Sequence, residues 1–409
     1  MGTWIILIPF QDTGLQRLPI GFLGTCPSFI PLSLLIVVHF YEWLMSIKTP
    51  TINRTLLLIV GYTFIVSMFY LLIYGFESHG SSLIFKTFNL SILTTLFLYP
   101  VFFIDYNKVP RLATYVKVAF AIVVLGVILN DLIQADFIHH PGIFHAYDTD
   151  NWRPRGLSGE SSYLSSITAT LGLLSAYFSR KKMVRILILV ATIVIVIFSA
   201  SKGGLITLLL VTGMLMLLKS KIRWWSRVAL LILLVVAGNY FVDQLTTRFI
   251  GDIENTTSTA TRSGLIITSL MIVTYNPFGV GFSGFLPAIN EYALLALDYL
   301  DRLLGLPMNI VELASYIGAD TDHAISTKTF LFDNLSYFGI PFLIVYVVFH
   351  YKLISRLLKT DKVLLLASVL FCVVAISTYI GGLGMYNISL IYGVAFCGVF
   401  RQKSLNSHV

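Results

Sequence analysis

The side chains best suited to chemistry in this sequence are arginines, one histidine and a few carboxylates, and they fall in two polar stretches. Residues 134–160 hold Arg153, Arg155 and Glu160; residues 243–329 hold Arg248, Arg262, Asp322 and His323. A guanidinium offers several donors in a planar fork that is always charged, which suits a phosphate or diphosphate. Arg155 directly precedes a predicted helix start at Ser161, whose free N–H groups and dipole would add to its hold on an anion. The plainer reading of the same arginine is a surface ion pair with Glu160, contributing about 0–1 kcal/mol. His323 is the side chain best placed to take a hydroxyl proton near neutral pH, and an isolated histidine serves structure as readily as chemistry. Lys202 sits in a tight turn, Ser199-Ala-Ser-Lys-Gly-Gly204, between two apolar runs.

Other motifs carry less. Asp148-Thr-Asp150 and Asp320-Thr-Asp322 spell DxD, a pattern that nucleotide-sugar transferases use to hold a divalent metal. Such donors are cytoplasmic and both copies lie on the external side, so solvated acidic loop is the simpler reading. His139, His140, His145 and Asp148 are ligand types for zinc, without the helical i,i+4 spacing that would support a site. Gly279-Val-Gly-Phe-Ser-Gly284 matches GxGxxG, but no βαβ unit surrounds it, so its glycines are expected to allow a tight turn or a close backbone approach. Cys26, Cys372 and Cys397 are widely spaced in apolar sequence and build neither a disulfide framework nor a CxxC site. No metal and no cofactor is expected.

The elements that must position these residues are membrane helices. Of 409 residues, 56% are apolar and only 12% charged, against about 25% charged in soluble domains. The apolar runs are roughly 18–22 residues long, the length of a membrane-spanning helix. An all-α polytopic membrane protein follows, with about 11–12 transmembrane helices. The spans are expected at 29–47, 55–76, 83–104, 112–133, 161–178, 183–200, 203–218, 224–242, 330–349, 363–380 and 383–400. A twelfth within 3–24 would bury Gln11, Asp12, Gln16 and Arg17, which is costly in hydrocarbon.

Most of the 28 basic residues gather at alternate ends of these spans, as at Lys48 and Arg54, Arg180–Lys182, Lys219–Arg227 and Lys352–Lys362. The positive-inside rule makes that side cytoplasmic. The C-terminus is then inside. Residues 243–329 form an external helical cap between the eighth and ninth spans, and 134–160 an external loop, within one membrane domain covering 1–409. Inside the cap, 262–275 is too short to span and is expected to lie along the membrane face, and 288–304 reads as a surface helix. The net charge of +8 records topology; no nucleic-acid partner is implied.

In order and type these features resemble the O-antigen polymerase and O-antigen ligase family of lipid-linked glycan transferases. The residues that carry the resemblance are Arg155-Gly-Leu-Ser-Gly-Glu160, the turn at 199–204, Arg262 followed by Asn276-Pro-Phe-Gly-Val-Gly281, and His323 with Gly339 downstream. Two departures are Lys202, where arginine is commoner, and Ala324, where asparagine is common. The resemblance implies glycosyl transfer at the periplasmic face of the bacterial inner membrane. Its donor is an undecaprenyl-diphosphate-linked oligosaccharide, its setting membrane lipid, and a chain-length regulator protein is a further partner. A diphosphate already leaves readily, so such a site needs preorganised positive charge rather than a metal. Arg155 and Arg262 are assigned that charge, with Arg153, Arg248 and Lys202 in support. His323 is assigned the acceptor proton, with Glu160 or Asp322 orienting a partner.

The resemblance favours the polymerase, which extends lipopolysaccharide O-antigen by repeat units; the ligase, with the same donor, transfers the glycan to lipid A core. A lipid-linked oligosaccharide flippase or transporter is the reading from another class. Such proteins carry ionisable residues deep in their spans, whereas Glu42, Lys86, Lys117, Asp131 and Asp333 all fall near predicted span ends.

Overall fold

The computed structural model describes residues 1–17, 25–45, 54–146, 153–218, 257–304, 326–381 and 383–401. These residues are mostly helical, the one strand pair being the short hairpin Glu77–Ser78 and Ser81–Ser82. The chain divides into two compact units. One comprises Met1–Pro50, Leu93–Ser220 and His350–Val409, the other Thr51–Ile92 and Lys221–Phe349.

The helices are α1 (Gly2–Leu7), α2 (Phe29–Met45), α3 (Arg54–Tyr74), α4 (Leu83–Phe102), α5 (Leu112–Val127), α6 (Asp136–His139), α7 (Ser161–Tyr177), α8 (Lys182–Phe198), α9 (Lys202–Leu218), α10 (Thr257–Tyr275), α11 (Gly281–Leu304), α12 (Phe330–Leu358), α13 (Val363–Thr378) and α14 (Tyr386–Phe396). Helix α5 ends in a π-helical turn, Ile128–Leu132, and α14 in another, Cys397–Arg401. Three of the described segments are long and apolar enough to cross a membrane: Leu83–Phe102, Leu112–Leu132 and Phe330–Leu358. Shorter apolar helices occupy Phe29–Glu42, Leu58–Tyr74, Lys202–Leu218, Val363–Thr378 and Tyr386–Phe400. The expected span at 224–242 lies outside the described residues, as do 243–256 and 305–325 of the expected cap.

In the first unit the centre is α7, buried without interruption from Leu164 to Ala176. Its sequence explains the position, because Ser, Thr, Ala and Gly let neighbouring helices approach closely where bulkier chains could not. Its hydroxyls find partners at once: Thr170 donates to the Ser166 carbonyl at 2.7 Å, Ser175 to that of Val116 at 3.2 Å, and Asn387 of α14 donates to Thr170 Oγ1 at 3.0 Å. Helix α8 is the converse, with Met183, Leu187, Val190, Val194 and Ile197 exposed, as befits a face turned to lipid.

The second unit packs α3, α10, α11 and the start of α12 around Leu71, Leu265, Ile272, Phe282, Phe285, Ile289, Tyr337 and Phe338. Two breaks in its helices meet. Gly339 interrupts α12 at φ 62°, ψ −150°, and Gly279 lies between α10 and α11 at φ 78°. Backbone hydrogen bonds tie the breaks together: Ile340 N–H to the Pro277 carbonyl at 2.8 Å and Val280 N–H to that of Ser336 at 2.9 Å. A Cβ on Gly339 would sit 2.1 Å from the Pro277 oxygen, and one on Gly279 2.4 Å from the Tyr337 oxygen. The expectation that the GxGxxG glycines serve close backbone approach therefore holds.

The same connection lies against α3, where Tyr62 donates to the Phe278 carbonyl at 2.6 Å and Ser67 Oγ accepts from Phe282 N–H at 3.0 Å. The helix expected over 262–275 is longer, Thr257–Tyr275, because its first turn is polar and escapes an apolar window. It packs against α11. Gly339→Ala is expected to lower the stability of the purified protein by at least about 1–3 kcal/mol, from backbone strain before any clash is counted. Gly61→Ala, which meets nothing within 4 Å, should leave it unchanged; thermal unfolding followed by size-exclusion chromatography separates the two.

Candidate active site

In the first unit the segment from Arg153 to Glu160 is a hub. Asp131, on the π-helical turn, accepts from the backbone N–H of Arg155 at 3.2 Å and of Gly156 at 2.8 Å. Ser158 returns its hydroxyl to the Arg155 carbonyl at 2.6 Å, and the Leu157 carbonyl accepts from Gln11 N–H at 3.0 Å. The N-terminal residues are thus drawn onto this loop.

Arg155 is buried, with 5% of its surface exposed. Its Nη2 donates to the His139 carbonyl at 3.2 Å, and Nη1 lies 3.8 Å from Asp12 Oδ2. That same carboxylate oxygen is 3.2 Å from His145 Nδ1, while His145 Nε2 is 3.1 Å from the Gly156 carbonyl. His145 is fully buried, and each ring nitrogen has an oxygen partner. The zinc reading of the histidine loop loses His145, whose two nitrogens are engaged; Asp148 lies outside the described residues. Among the described residues no three His, Cys, Asp or Glu side chains group as metal ligands.

Sequence reasoning did not find Asp12 as the partner of Arg155. The signal it left was negative: Gln11, Asp12, Gln16 and Arg17 are anomalous in an apolar N-terminal run. All four find partners here: beside the contacts of Asp12, Gln16 donates to Asp12, Gln11 to the Ile8 carbonyl at 2.9 Å, and Arg17 to the Ala146 carbonyl.

Glu160 and Arg153 are exposed, and the Glu160 carboxylate accepts from the Ser162 hydroxyl at 3.0 Å. The 199–204 turn reaches the same end of α7: Ser165 donates to Ser201 Oγ at 3.2 Å, which also accepts from Gly204 N–H at 3.2 Å. Lys202 is exposed at the first position of α9. The 199–204 turn is thereby joined to the helix that follows 155–160.

In the second unit Arg262 is half-buried on α10, and its Nε is enclosed without a hydrogen-bond partner among the described residues. Two turns along the same face, Ser269 donates to the Phe332 carbonyl at 2.8 Å and accepts from Ser336 at 2.8 Å. Arg262 therefore lies on the face of α10 that packs against the start of α12. The segment entering α12 is held by Asp333, which accepts from the Ser326 hydroxyl and from Thr327 N–H, both at 2.6 Å. Asp333 works as a reversed cap: a side chain in the first turn reaches back to a free donor before the helix. Arg248, Asp322 and His323 lie outside the described residues.

No protein-family model matches the chain. It is 25% identical over 356 residues, 86% of its own length and 80% of the relative's, to a Klebsiella pneumoniae protein described as an uncharacterized 49.5 kDa protein in the cps region.

Asp12→Ala should destabilise the protein by roughly 3–5 kcal/mol, the usual result of leaving a buried charge without its partner. The double variant with His145→Ala should lose less than the sum of the single losses, because both residues belong to one network. Unfolding midpoints of the two single variants and the double, measured in detergent, give the coupling directly.

Proposed function

We propose that this chain is a membrane glycosyltransferase of surface polysaccharide biosynthesis, polymerising undecaprenyl-diphosphate-linked oligosaccharide repeat units at the periplasmic face of the inner membrane. The observation that carries the reading is the backbone hydrogen bonding of the family-like 276–281 stretch to the residues flanking Gly339, beside a 199–204 turn that bonds to Ser165 in the helix following 155–160. The relative from a cps region, the designation of capsular polysaccharide genes, agrees with the polysaccharide assignment.

In this scheme the multi-pass bundle has its C-terminus in the cytoplasm and residues 134–160 and 243–329 outside. Arg262, whose Nε is without a protein partner among the described residues, takes the leaving diphosphate. Arg153, Arg248 and Lys202 supply further positive potential for an anionic donor. His323 accepts the proton of the acceptor hydroxyl as the glycosidic bond forms, and Asp322 orients it. The buried Arg155 holds the shape of its loop through Asp12 and His139, and Glu160 stands at the start of α7. The ligase reading shares all of these roles and differs only in the acceptor.

Deleting the gene and separating surface polysaccharide on a gel tests the proposal. A single repeat unit on core identifies a lost polymerase, accumulated unligated polymer a lost ligase, and absence of both outside the cell a flippase. An unchanged pattern overturns the assignment. In the complemented strain Arg262→Ala should reduce long-chain glycan at least about 100-fold, the scale on which one electrostatic contact to a developing charge counts. His323→Ala should do the same while the protein remains inserted.

A further inference from the structure

The second unit carries a group of side chains that none of these roles uses. Tyr70 and Tyr74, one turn apart near the end of α3, stack with ring centroids 6.0 Å apart and planes at 18°. Beside them Tyr275, the last residue of α10, stacks on Tyr292 of α11 at 5.3 Å and 15°. Asn276 joins the two pairs: it follows Tyr275 in the chain, and its Oδ1 accepts from the Tyr70 hydroxyl at 2.8 Å. Glu291, the residue before Tyr292, completes the group.

The cluster is half packed and half open. Tyr70, Tyr74 and Tyr292 rest against the core of the unit, whereas Tyr275 is 66% exposed and Glu291 is exposed. Aromatic pairs pack offset-stacked or edge-to-face, and the core of this unit uses the second arrangement, as Phe285 and Tyr337 do at 70°. These two pairs instead lie nearly parallel and leave a broad ring face in the open. A flat ring face matches the C–H face of a pyranose. The amide and carboxylate at its rim supply donors and acceptors for the equatorial hydroxyls. Burial and the nearby Glu291 carboxylate both raise the Tyr292 phenol above its ordinary range, so its hydroxyl stays a neutral donor.

We propose that Tyr275, Tyr292, Asn276 and Glu291 form a sugar-binding subsite for a neutral pyranose of the glycan. A carboxylate at the rim disfavours acidic sugars. The proposal rests on the glycosyltransferase reading for the identity of the sugar, and its test does not need turnover. The probe is the repeat-unit oligosaccharide released by mild acid from the producing strain's surface polysaccharide, mixed with the purified full-length protein in detergent and followed by saturation-transfer NMR.

Transfer to ring C–H protons is expected in the wild type and in Tyr275→Phe, which keeps the ring. It should fall at least fivefold in Tyr275→Ala and in Tyr292→Ala, and twofold or more in Glu291→Gln. Tyr275 is exposed, so its variants should fold, and circular dichroism confirms that they do. Absence of transfer in the wild type, or transfer at the wild-type level in either alanine variant, overturns the subsite whatever the deletion strain shows. A deletion strain with unchanged surface glycan overturns the enzyme assignment, and the tyrosine dependence of oligosaccharide binding still decides the subsite.

Discussion

A backbone that leaves the helical path among apolar side chains must find partners for the N–H and C=O groups it frees, because nothing around it will supply them. Here two interruptions satisfy each other. The 276–281 connection and the Gly339 break exchange backbone hydrogen bonds, and glycine at the contact lets the two chains come within bonding distance. Most of the second unit follows from that contact. It fixes where α10 ends and α11 begins, holds both against α3 through Tyr62 and Ser67, and sets the first part of α12 beside Ser269. Arg262 and the tyrosine pairs are carried on the helices so placed.

The first unit solves the same problem with side chains. Its loop before α7 has little regular structure, and its polar backbone is met by Asp131, Ser158, Gln11 and His145. Arg155, whose charge invites a ligand, is spent on internal partners; the groups still facing outward are Arg153, Glu160 and Lys202. A guanidinium held from two sides is a poor hand for gripping a substrate and a good one for keeping a loop in a single shape. The Cys26 thiol, 3.7 Å from the Leu7 carbonyl in the same unit, is pushed up to about 12 by burial.

Helices were the most legible part of the chain. Runs such as 112–133 and 363–380 are strongly apolar and each follows a basic residue, Arg111 or Lys362, and their ends agree with α5, with its π-helical turn, and with α13 to within a few residues. The helix at 257–275 was half legible because its first turn is polar. Gly279 could be read as needing a tight turn or close approach, but not that Gly339 is what it approaches, since 59 positions separate them along the chain and neither spacing nor composition links them. Asp12 was hidden for the same reason. An acidic residue in an apolar N-terminus announces a cost, and only the fold names the arginine and histidine that offset it.

The π-helical turn at Ile128–Leu132 has a consequence of its own. A widened turn holds one residue more than an α-helical path of the same length, and one residue corresponds to about 100° of rotation around the axis. The orientation of Asp131, and with it the anchoring of the whole Arg155 loop, is therefore decoupled from the lipid-facing register of α5. A single-codon insertion or deletion at this point resets the polar end of the helix and leaves its apolar stripe untouched, which gives evolution a way to retune the loop without rebuilding the span beneath it.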